Sequence, residues 1–210
     1  MQGINAGDTA FILICTALVL MMTPALALFY GGLVRQRDVL SVMIQNFVCI
    51  GVVGVIWVFG GFSLAFGPDI GGTIGNFAYY FGMYEVGIEP NPVYAPNIPF
   101  IMVFAYQMMF AIITPALMTG AFVGRFQFGA YLFFITAWTI LVYVPAAHWV
   151  WGGGFLAKLG VVDFAGGIVI HTSAGFSALA TAKFLGKRRV AAGESESAPA
   201  MTLPPGLPSF

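Results

Sequence analysis

Charged side chains are nearly missing from this chain. Eight Lys or Arg and eight Asp or Glu make up only 8 % of 210 residues, and they cancel. That excludes an ordinary water-soluble surface, and the neutral balance gives no electrostatic basis for binding nucleic acid. Cysteine is scarce as well, with Cys15 and Cys49 both inside apolar runs, where a thiol behaves as a small buried hydrophobe. This gives no disulfide framework and no zinc spacing. There is no P-loop, and no Ser-His-Asp arrangement accompanies the two histidines, His148 and His171. The chain is therefore not read as an enzyme, and no cofactor or metal site is expected.

What the sequence has in abundance is apolar surface: 60 % hydrophobic residues and a mean hydropathy of +0.92. A helix needs ~20 mainly apolar residues to cross the hydrocarbon core of a bilayer. Segments 9–33, 39–66, 99–123, 127–150 and 163–185 meet that requirement. The fold class is all-α, a polytopic membrane helix bundle of five transmembrane helices, with the lipid bilayer as its solvent. The first run is too long for a signal-peptide core and lacks a basic flank before it, so it is read as a retained span. Basic residues follow the first span (Arg35, Arg37), the third (Arg125) and the fifth (Lys187, Arg188, Arg189), while Lys158 alone sits on the opposite side. The positive-inside rule then predicts a multi-pass cell-membrane protein with its N-terminus outside and residue 189 onward cytoplasmic.

The loop at 67–96 is predicted to be external. Its cluster of Phe77, Tyr79, Tyr80, Phe81 and Tyr84 suits an interfacial aromatic belt. Pro24 and Pro115 fall inside spans and predict bends there. Gly60-Gly61, Gly166-Gly167 and Gly175 let helix backbones approach closely. From residue 190 the Pro-, Ser- and Glu-containing tail predicts a disordered cytoplasmic segment, separate from the transmembrane domain at 1–189.

Four residues invite a chemical reading. Asp163 and His171 lie eight positions apart, roughly 12 Å along a helix axis if both are helical. Ionisable groups at such depth are costly, so an intramembrane His points to function, with a helix-packing hydrogen bond as its rival. Asp163, at the start of the fifth span, has two roles open to it: capping free N–H groups or contacting a cation directly. Trp151 ends the fourth span before a Gly-Gly-Gly turn, either as an interface anchor or as a cation–π face. Phe110 lies about ten residues, ~15 Å, into the third span, where packing alone explains it. His148, near the surface, is expected to bond loop backbone.

The segments LFYGGLVR, AYQMMFAIITPALMTGAFVGR, YVPAAHWVWGGGFL and VVDFAGGIVIHTSAG occur in order. Together they resemble successive signatures of the ammonium transporter family (Amt, Mep and Rh proteins) over essentially residues 8–189. By this resemblance Trp151, Asp163 and Phe110 belong to an external ammonium-recruitment site, Phe110 doubles as a pore gate, and His171 is the first of two pore histidines relaying charge or ammonia. The resemblance implies transport of ammonium or ammonia through a mostly apolar pore in a homotrimer, and leaves room for a cytoplasmic regulatory protein. It also implies that these five helices form one half of a 5+5 inverted repeat. The second half is not among the 210 residues, and this keeps open an alternative, a non-conducting membrane scaffold or sensor subunit. A haem subunit ligated by His148 and His171 is disfavoured, since those two are predicted at different depths.

Overall fold

The computed structural model describes residues 3–186. Lys187, Arg188, Arg189 and the tail at 190–210, to which the sequence assigns a basic cluster and a disordered segment, lie outside the described residues. Five helices are long and apolar enough to cross a bilayer. They are α1 (Ala6–Leu33), α2 (Gln36–Phe66), α3 (Phe100–Phe122), α4 (Phe128–Lys158) and α5 (Gly167–Leu185). Because each helix is apolar around most of its circumference, its neighbours rather than a polar stripe decide what is buried.

α1 packs on α2 and α3, α2 also meets α4, and α3 touches α4 and α5. α3 is therefore central: half of its most apolar window is buried, against 17 % for α1 and for α5. The outer helices present bare apolar side chains, among them Phe11, Met21, Phe176 and Phe184. At one end of the bundle the α1–α2 turn, the α3–α4 turn and the end of α5 come together. A methyl group on Gly124 would lie 3.7 Å from Asp38 Oδ2, and the Arg125 guanidinium donates to Gly186 O at 2.7 Å. At the other end Asn5 N–H donates to Asn97 O at 2.8 Å. The spans thus alternate in direction, as the basic residues predict.

The loop between α2 and α3 adds two small antiparallel hairpins to the helical bundle. One pairs β1 (Asp69–Ile70) with β2 (Ile74–Gly75), the other β3 (Pro90–Asn91) with β4 (Ala95–Pro99). Phe77, Tyr79, Phe81 and Tyr84 are exposed, but Tyr80 is buried, its ring 5.4 Å from Phe62 and 5.3 Å from Phe100. The loop is consequently tied into the core through Tyr80.

Helix α1 runs through Pro24 without interruption, and the first stretch of α3 ends one residue after Pro115. The helices are disturbed more at three wide, π-type turns, Trp57–Gly61, Thr139–Tyr143 and Gly167–Thr172. In the first of these Gly60 has φ +140° and a Cβ there would meet the Phe77 ring at 2.3 Å, so only glycine fits. The Trp57 and Tyr143 rings lie 6.2 Å apart, which packs two of the wide turns against each other.

Candidate functional site

The continuous turns of α4 end at Val150, and Trp151 occupies the capping position. The chain then folds sharply, with Gly152 N–H and Gly154 N–H both donating to His148 O at 3.0 Å. A Cβ on Gly152 would lie 1.9 Å from Ala65 O, so the turn seats directly on the end of α2. Its result is a fixed indole: Trp151 Nε1–H donates to Asp163 O at 2.8 Å.

Asp163 precedes α5 rather than belonging to it. Its Oδ1 accepts from Gly167 N–H at 2.8 Å, and its Oδ2 accepts from Ile168 and Val169 N–H at 2.8 and 3.0 Å. Three of the donors that a helix start leaves open are thereby satisfied, and the negative charge meets the positive end of the helix dipole. This corrects the fifth span, predicted from 163 but starting at Gly167. The cause is local: Gly166 adopts φ +80°, a left-handed conformation that lets the carboxylate fold over the helix end. His171 therefore sits four residues into α5, about 6 Å along its axis, with Asp163 folded over that end instead of one helical run of roughly 12 Å between them.

Trp151, Asp163 and Phe110 line one cavity of about 260 Å³, together with Tyr106, Gln107 and Ile170. The Tyr106 and Phe110 rings meet edge to face at 4.9 Å. His171 does not line this cavity. Successive helical residues point ~100° apart, so Ile170 faces the cavity while His171 lies in a shallow groove with Thr172, Gly175, Phe176 and Leu179. The structure thus brings three of the four sequence-predicted residues together and leaves the fourth on an uncovered face. Tyr106 and Gln107 are additional lining residues. They stand four and three positions before Phe110, on the same helical face, so spacing alone marks them.

His148 is fully buried. Its Nδ1 lies 2.9 Å from Ala65 O, a carbonyl at the end of helix α2 rather than the loop backbone expected, while its Nε2 lies 2.9 Å from Asp69 Oδ1. The same Oδ1 accepts from Gly72 N–H at 2.8 Å, and Lys158 Nζ pairs with Oδ2. Asp69's carboxyl is held down to about 2, first by the His148 bond and then by Lys158. Nothing in the local sequence marks Asp69 as a partner, since 79 residues separate it from His148.

A cavity of aromatic faces beside a carboxylate and an amide suits a small hydrogen-bonding cation. The profile of the Ammonium Transporter Family matches residues 10–204. An ammonium transporter of Bacillus subtilis is 46 % identical over 183 residues, covering 87 % of this chain and 45 % of its own length. Ammonium transporter 1 of Dictyostelium discoideum is 50 % identical over 186 residues, 88 % of this chain and 40 % of its own. The crystal structure of Saccharomyces cerevisiae Mep2 superposes with a TM-score of 0.79 at 35 % identity, over 88 % of this chain and 40 % of that one. The chain thus spans less than half the length of these proteins, and the Bacillus subtilis and Dictyostelium discoideum relatives carry the names of transporters rather than enzymes. On sequence and fold together, it belongs to the ammonium transporter family.

Proposed function

We propose that the chain forms one wall of a transmembrane conduit for ammonium or ammonia. The observation that carries this reading is the shared cavity of Trp151, Asp163 and Phe110. A cation entering it would meet the indole face, with Asp163 negative but already occupied by three helix N–H groups. Asp163 therefore supports recruitment through its charge and through the carbonyl that orients Trp151, while Phe110 closes the inner side of the cavity as a gate.

Passing an apolar constriction as a full cation is costly. A neutral imidazole donates from one nitrogen and accepts at the other, so His171 serves as the relay that separates ammonia from its proton. Its ring has no hydrogen-bond partner among the described residues and lies on the uncovered face of α5, as a pore-lining group needs. The opposite wall comes from a second, inverted set of helices, in a trimer lying in the cell membrane with the Arg125 end cytoplasmic.

The test is ammonium-driven charge movement into proteoliposomes holding the full assembly, with the 210-residue chain alone as a second sample. The assembly is expected to pass ammonium and exclude potassium, and the chain alone to give no flux. His171→Ala is expected to alter conduction or selectivity. Unchanged ammonium flux and potassium exclusion in that variant would remove His171 from the mechanism.

A further inference from the structure

The buried ring of His148 stands between two oxygens. Ala65 O is a carbonyl and only accepts, and Asp69 Oδ1 belongs to a carboxylate already serving Gly72 N–H and sharing its charge with Lys158. A neutral imidazole has one donor, so one lone pair would face an acceptor at 2.9 Å. Both nitrogens therefore carry hydrogen. The same residue's carbonyl receives Gly152 and Gly154 N–H, the bonds that shape the turn presenting Trp151. Two further bonds join this turn to the first hairpin, Phe155 N–H to Gly72 O at 2.9 Å and Trp149 Nε1–H to Thr73 O at 2.8 Å.

We infer that His148 is a positioning residue for the Trp151 cavity: an imidazolium whose two N–H groups clamp the end of α2 and the first hairpin to the turn that orients the indole. Its effect on transport rests on the conduit reading above; the clamp itself does not. Three titratable groups face this clamp from the elements around it. Asp69 lies on β1 and Lys158 at the end of α4. Tyr94, from the β3–β4 turn, bonds Phe66 O at 3.0 Å and Gly152 O at 3.5 Å. Asp69, low at about 2, and Tyr94, pushed up to about 12 by burial, keep their charge states across neutral pH.

This chain contributes two histidines and four tryptophans, whose signals can be followed by nitrogen NMR in the full assembly, with His148→Gln to assign the ring and Trp151→Phe to assign the indole. The His148 ring is expected to carry hydrogen on both nitrogens facing Ala65 O and Asp69 Oδ1, and a neutral tautomer overturns the clamp. The Trp151 indole signal is expected to move in His148→Gln; a folded variant in which it stays put overturns the positioning role. In flux measurements the half-saturating ammonium concentration is expected to rise about fivefold in His148→Gln, with the maximal rate within about twofold. Unchanged half-saturation in a folded, conducting variant also overturns the role, whereas absence of flux in the wild type counts against the conduit and leaves the NMR outcomes to decide the clamp.

Discussion

Trp151 and Asp163 divide one task. The indole offers a face to the cavity, and the aspartate both caps α5 and holds the indole N–H through its own carbonyl. On the proposed conduit, replacing Trp151 by Leu removes a cation–π contact worth ~0.5–2 kcal/mol. The half-saturating ammonium concentration should then rise about twofold to thirtyfold while the protein stays folded, as flux titration against thermal stability would reveal. Asp163→Ala should lower stability by about 1–2 kcal/mol through loss of the cap. Asp163→Asn retains an acceptor and should recover much of that stability, measured by thermal midpoint in detergent, yet bind ammonium more weakly because the charge beside the cavity is gone. Phe110, Trp151 and Asp163 were legible as motif positions, and helical spacing also reaches Tyr106 and Gln107. That His171 faces away from their cavity depends on where α5 begins, and a single left-handed Gly166 settles that.

The junction of α2, α4 and the first hairpin turns on close backbone approach. Gly152→Ala would push a Cβ against Ala65 O, a backbone atom that has little room to retreat. A loss of roughly 1–3 kcal/mol or more is expected, visible as a lowered thermal midpoint. Asp69 adds a pH dependence with a definite sign. Its folded value of about 2 lies below the ~3.9 of an unfolded aspartate, so its contribution is complete above about pH 4 and is lost as pH falls through about 2. The wild-type midpoint should drop across that window more steeply than that of Asp69→Asn; parallel acid profiles would show that the His148–Asp69–Lys158 contacts contribute nothing. The wide turns at Trp57–Gly61 and Thr139–Tyr143 were not legible, because an extra residue per turn leaves hydropathy unchanged, whereas Pro24, which drew attention, left α1 unbroken.

The distribution of charge over the two ends of the bundle predicts orientation. A cysteine at Gly3 should react with an impermeant maleimide in intact cells, and one at the exposed Gln127 only after the membrane is opened; the reverse pattern would invert the topology. Cys15 and Cys49 lie within α1 and α2 and need not be removed first if they prove unreactive from either side. Five spans and their alternation follow from the sequence, because crossing a bilayer depends on the local sum of apolar residues and on charge in short loops. Family motifs likewise lie within single segments. The cavity and the seat of His148 between Ala65 and Asp69 were decided only by tertiary structure. Each requires groups from different elements to meet within hydrogen-bond distance, and no local periodicity encodes a contact across 79 residues.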